Sequence, residues 1–192
     1  NGPLVLESGP CANPLFKAFF KAVEQAGYPL TDDINGYQTE GFGPFDRNIN
    51  RGRRLSAARA YLHPVRRHRS NSKVKCYAQT TRILFEGNRA IGVEYERFGT
   101  KKQVYAGEVI CCGGAINSPQ LLQLSGIGNA ADLEKLNIPV VHDLPGVGEN
   151  LQDHLEVYVQ HISKQPVSLQ PALKWWRKPW IGYQWLFHRR GP

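Results

Sequence analysis

The segment that most constrains the fold is Glu108–Gly128, EVICCGGAINSPQLLQLSGIG. Val109, Ile110, Cys111 and Cys112 form an apolar run of the length shown by a strand buried on both faces. Gly113 and Gly114 then remove two side chains where the backbone must turn or be approached closely. A helix is predicted next, capped by Asn117 or Ser118, with Pro119 at its first position. A strand that passes through glycines into a helix N-terminus is an α/β device that presents unpaired N–H groups to a phosphate. The same turn also serves as plain packing, so the spacing alone leaves both readings open.

Around this segment the pattern is mixed. Asn13-Pro14 starts a helix that runs to Ala26 and stops at Gly27, with Leu15, Phe19, Ala22, Val23 and Ala26 on one face. Residues 28–51 read as loops, and Ser56–Leu62 as a short helix ended by His63-Pro64. Strands are predicted over 75–78, 81–85 and 90–97, with Gly87-Asn88 as a hairpin turn, and again over 103–105. A helix over 130–136, an extended stretch over 138–141 and a loop over 144–148 follow. The polar–apolar alternation of 154–162 predicts a half-buried strand, and the Trp-rich tail from Pro171 shows no domain of its own.

With 192 residues, 41% of them hydrophobic and 21% charged, the chain can bury one good core or two small ones. No stretch approaches the ~20 apolar residues of a membrane-spanning helix. Cys11 and Cys76 are isolated and Cys111 and Cys112 are neighbours, so neither a disulfide framework nor a zinc site is expected; a reducing compartment suits them. His63, His68, His142, His161 and His188 show no metal-ligand spacing. Ser125, in Ser-Gly-Ile-Gly, lacks the glycine two residues before it that a nucleophile elbow needs, and reads as a helix C-terminal serine. The net charge of +8 is uneven: ten Lys/Arg and no Asp or Glu lie between Arg47 and Lys75. Tyr61 is the one aromatic early in that block and no base-reading motif accompanies it. A basic face meeting solvent, an anionic cofactor or a membrane is therefore expected, and no nucleic acid partner.

The run Gly114–Gly128 resembles the second signature of the glucose–methanol–choline (GMC) flavin oxidoreductases. The resemblance extends through Pro139–His154, with its Asn-Leu-Gln-Asp-His ending, and backward through Ile83–Tyr95 and Gly52–Pro64. Gln25–Pro29, Asn35–Gln38 and Glu40–Gly43 are most similar to the choline-oxidising dehydrogenases of that family. The similarity implies a mixed α/β fold, part of an FAD-binding domain interwoven with part of a substrate domain. It divides the chain into a substrate-domain piece over 1–50, an FAD-domain piece over 51–153 and a further substrate-domain segment over 154–192. It also implies oxidation of choline to betaine aldehyde with hydride passing to FAD and then to a respiratory-chain acceptor. A mitochondrial inner-membrane location and peripheral membrane association come with it. Another GMC alcohol oxidase or dehydrogenase, and a basic binding module without cofactor, are the competing readings. The chain holds no GxGxxG motif and none of the family's C-terminal catalytic histidine segment, so it is expected to be an internal fragment with no catalytic residue of its own.

By motif position the resemblance assigns FAD contacts to Thr80, through its main chain, and to Gly113, Gly114, Ala115 and Ser118. Thr80 stands where the family usually has Val, a change that a main-chain contact tolerates. Asn150, Asp153 and His154 are implied to lie near the flavin in structural roles. Adjacent residues on a strand point to opposite faces, which sets Asp153 and His154 against acting as an acid–base pair. Trp175, Trp176, Trp180 and Trp185 are aromatic candidates for a quaternary ammonium, with core or surface roles favoured.

Overall fold

The computed structural model describes residues 2–189 and 191; Asn1, Arg190 and Pro192, at the outer limits of the expected substrate-domain pieces, lie outside it. Along the chain the elements are β1 (Glu7–Ser8), α1 (Pro14–Gln25), β2 (Asp46–Arg47), β3 (Ile49–Asn50), β4 (Arg53–Arg54), α2 (His63–Arg66), β5 (Gln79–Glu86), β6 (Arg89–Arg97), β7 (Thr100–Tyr105), α3 (Gly114–Leu124), β8 (Ile127–Gly128), α4 (Ala130–Lys135), β9 (His142–Asp143) and α5 (Lys178–His188). The mixed helix and sheet content is the expected one. The chain divides into two units, one formed up to Ser72 and again from Val159, the other by Lys73–Tyr158.

In the first unit α1 forms for the reasons visible in the sequence. Asn13 Oδ1 accepts the Leu15 N–H at 2.9 Å, Pro14 takes the first helical position, and Gly27 leaves the helix at φ +80°. Val23 is the one buried residue of its apolar face, while Phe19 packs edge-on against Phe20 and Phe42. β1 pairs with β2, and β3 with β4, in short antiparallel ladders. The helix predicted over 56–62 is a π-helical turn (Ala58–Leu62) that continues through His63-Pro64 into α2 instead of ending there. Pro64 lies within this continuous stretch, one residue after the His63 N–H bonds to the Ala58 carbonyl, and donates no hydrogen bond of its own to the turn before it. In the tail, Trp185 Nε1 on α5 donates to the Gly52 carbonyl at 2.8 Å.

The second unit is built on the antiparallel meander β5-β6-β7. Gly87 at φ +56° turns β5 into β6 as expected, and Phe98 and Gly99, also at positive φ, turn β6 into β7. The register slips between Thr80 and Arg82, so Thr81 leaves the ladder and its Oγ1 donates to Glu94 Oε1 at 3.0 Å. That hydrogen bond, with Arg82 at 3.3 Å and Lys101 at 3.9 Å, holds the Glu94 carboxyl below its ordinary pKa against the opposing effect of burial. Ile83, Tyr95 and Leu133 form the apolar core of this unit, beside buried Glu94 and Ser125. Ser125 caps the C-terminus of α3, as its position in the sequence suggests. Its hydroxyl accepts the Ile83 N–H at 2.8 Å and donates to the Leu121 carbonyl at 2.6 Å, tying helix to sheet across 42 residues of sequence.

Three predicted strands do not form: residues 75–78, 108–112 and 154–162 are irregular. The extended stretch over 138–141 leads into the short strand β9 at His142. A strand exists only where a neighbour completes its ladder, and among the described residues no segment pairs with these stretches. At 75–78 the chain is also broken by Tyr77 at φ +56°. Ile110 is 75% exposed and Cys111 and Cys112 are exposed, which overturns a strand buried on both faces. In 154–162 Leu155 and Ile162 are almost fully exposed, so that segment is not a half-buried strand either.

Candidate functional site

The site is organised by the turn into α3. Gly113 lies in helical space and its N–H donates to Ser118 Oγ at 2.9 Å. Gly114 follows at φ +83°, a region that side chains with a Cβ rarely adopt, and no heavy atom lies within 4 Å of where its Cβ would stand. α3 therefore begins at Gly114, five residues before the expected start, and Pro119 falls inside the helix. Proline removes the N–H that would bond to the Ala115 carbonyl, but α3 packs against β5 and β8 and these contacts carry the helix through it. Neither Asn117 nor Ser118 is the cap residue. Ser118 acts from within the first turn-and-a-half, reaching back to Gly113. No side chain caps the helix start, so the first N–H groups of α3 stay available to an anion.

Two cavities flank this turn. One, of about 570 Å³, is lined by Gln79 and Thr80 of β5, Val93 of β6, the Val109–Gly113 stretch, and Asn117, Ser118, Gln120, Leu121 and Leu124 of α3, with Ala78 closing it. Thr80, Gly113 and Ser118 are thereby brought to one space although they lie 38 residues apart at the extremes. Thr80 stands at the bulge of β5, paired with Tyr95 on β6, and its carbonyl meets the Gln79 side-chain amide at 3.4 Å. The other cavity, of about 890 Å³, lies between the opposite flank of α3 and residues 146–152, and takes in Ala115, Ser118 and Asn150. Asn150 adopts φ +56° at its rim. Gly148, at φ +88°, lets the loop close on Gln123, whose Nε2 donates to the Val147 carbonyl at 3.0 Å.

Asp153 and His154 line neither cavity. Asp153 Oδ1 accepts the His154 backbone N–H at 2.8 Å, so the carboxylate meets main chain and not the imidazole. Ser118 and Gln120 line both cavities, and Gln123 anchors the loop of the second. Gln120 and Gln123 were not among the expected site residues; their signal is a row of amides three apart on α3, Asn117, Gln120 and Gln123. Among the described residues no group of three or more His, Cys, Asp or Glu could hold a metal, and no helix is long and apolar enough to cross a membrane.

The model of the family described as GMC oxidoreductase matches residues 2–156. The chain belongs to the GMC oxidoreductase family. It is 58% identical over 191 residues to a protein of Staphylococcus haemolyticus named oxygen-dependent choline dehydrogenase, covering all of this chain and 34% of that relative. A protein of the same name from Staphylococcus saprophyticus is 56% identical, with the same coverage. The chain thus spans about a third of the length of these relatives. Among solved structures, an FAD-dependent oxidoreductase from Chaetomium thermophilum is similar at a TM-score of 0.82 and 28% identity, over the whole chain and 34% of that one. The GMC segment so defined includes the Gly113–Gly114 turn, Thr80 and the 146–152 loop, all within the matched residues.

Proposed function

We propose that this chain is part of an FAD-dependent enzyme that oxidises the primary alcohol of choline to the aldehyde. The observation that carries the substrate is 58% identity across the whole chain to a relative named for choline. FAD is the cofactor of the family, and the residues present suit its adenosine diphosphate half. The open space over Gly114 admits a group that a Cβ would exclude, and the uncapped N–H groups of α3 favour a diphosphate. FAD held there would supply the acceptor for the hydride leaving the alcohol carbon.

The chain's own residues supply binding and orientation. Thr80 and Gly113 wall the smaller cavity, Ser118 ties the turn by accepting the Gly113 N–H, and Ala115 lines the larger cavity; Gly114 lines neither and contributes the open turn between them. Asn150 and the Gly148 loop close the larger cavity, with Asp153 and His154 in structural roles beyond it. On this reading residues 51–153 are the FAD-domain piece and the segments on either side belong to the substrate domain; the Lys73–Tyr158 unit falls mostly within the former. The two staphylococcal relatives are bacterial and named oxygen-dependent, so the acceptor carried over is oxygen, and the expected mitochondrial placement draws nothing from them.

The test uses the holoprotein. Choline added without oxygen should bleach the flavin absorbance, and with oxygen present should consume it. A flavin-loaded protein that is bleached by other alcohols and not by choline would leave the family assignment standing and remove the substrate.

A further inference from the structure

In the unit that contains β3, β4 and α5, a concave cluster of cations has no role in the reading above. Arg51, Arg53, Arg59, His63 and Arg189 line a cavity of about 370 Å³, with Asn50 and Leu55 completing its wall. No carboxylate lines it, and none of these arginines forms a salt bridge among the described residues. Four guanidiniums gathered without counter-charge repel one another and raise the local positive potential, a state that an anion relieves.

The cluster is also held in place. The guanidiniums of Arg53 and Arg189 lie 5.2 and 5.1 Å from the ring centroid of Trp185. That ring is itself fixed by its Nε1–H donating to the Gly52 carbonyl at 2.8 Å, and Arg59 Nη1 donates to the Arg54 carbonyl at 3.0 Å. Side chains already pinned lose little freedom on binding, and planar guanidinium forks match the oxygens of a phosphate.

We propose that this cluster is a binding site for a phosphate group. The cavity suits one small dianion better than a polymer, since it is a single concavity without a row of aromatic faces for successive bases. It repels a quaternary ammonium, so it is not where choline binds. It shares no residue with the two cavities beside α3, and the inference stands independently of the flavin reading.

The test is calorimetric titration of the holoprotein with inorganic phosphate, with flavin content read in parallel. Saturable binding at one phosphate per chain is expected, weakened about tenfold or more in Arg53→Gln/Arg59→Gln and unchanged in the remote variant Lys164→Gln. Arg51→Gln, whose side chain makes no hydrogen bond among the described residues, should weaken binding as well and serves if the double variant misfolds. Co-sedimentation with phosphatidic acid vesicles separates the sources. Pelleting that inorganic phosphate competes away assigns a lipid headgroup; phosphate binding without pelleting assigns a soluble phosphate compound. Absence of saturable phosphate binding, or equal affinity in the double variant, overturns the proposal.

Discussion

Ser125→Ala should destabilise the protein far more than its single lost oxygen suggests. Ser125 is 8% exposed and Ile83 5% exposed, so water cannot replace the hydroxyl that the Ile83 N–H now meets at 2.8 Å. A buried backbone donor left without a partner costs about 1–3 kcal/mol. The Leu121 carbonyl loses the Ser125 hydroxyl but keeps the Ser125 backbone N–H at 3.1 Å, so it adds little. Alanine leaves almost no cavity, and the expected total is about 2 kcal/mol. Hydrogen exchange of the peptide carrying Ile83 is the local assay: about 2 kcal/mol corresponds to roughly thirtyfold faster exchange where opening is the limiting equilibrium. Ser118→Ala provides the contrast, because the Gly113 N–H it accepts is exposed and can turn to water; its cost should stay under about 0.5 kcal/mol. Equal effects of the two substitutions, or unchanged exchange at Ile83 in Ser125→Ala, would refute the argument that burial sets the magnitude.

Three further outcomes are expected. Gly114→Val should strip flavin from the holoprotein, because a β-branched side chain at φ +83° fills the space left open there; full flavin per folded chain would show the turn to be packing alone. Gly126→Ala should cost about 3 kcal/mol or more in urea unfolding, since its φ is +89° and an added Cβ runs into the Pro139 carbonyl oxygen; a midpoint like that of the parent would contradict the crowding. Glu94 has a lowered pKa, so its contribution to stability is present above the ordinary carboxylate pKa and disappears as pH falls through its depressed folded value. The stability difference between the parent and Glu94→Gln should therefore shrink on acidification, and a difference that grows toward acid pH would reverse the sign assigned here.

The candidate site was partly legible in the sequence. The Gly113–Gly114 turn and Thr80 stood out by motif, and the structure gathers Thr80, Gly113 and Ser118 around one cavity. The exact start of α3 did not follow, because Ser118 could be read as a cap or as an interior residue. Only the fold shows its hydroxyl turned back to Gly113, with helix contacts carrying the chain through Pro119. The spacing of Gln123 on α3 is visible in the sequence but its role is not, because an amide on a helix acquires a role only when a loop, here 146–152, comes within its reach.

What the sequence determined by itself was local. Asn13-Pro14 and Gly27 set the limits of α1, Gly87-Asn88 set the β5–β6 hairpin, and the Gly114–Gly128 run marked the family. Caps, turns and positive-φ glycines act over a few residues, so their physics is written in neighbouring letters. The tertiary structure decided which apolar runs became strands. Val109–Cys112 and His154–Ile162 have strand-like patterns, but strand formation needs a partner from elsewhere in the chain, and none of the described segments pairs with them. It also decided the pairing of Ser125 with Ile83, the stacking of Arg53 on Trp185, and the convergence of Arg53 and Arg59 with Arg189 around one cavity, contacts between residues remote in sequence that no local pattern encodes.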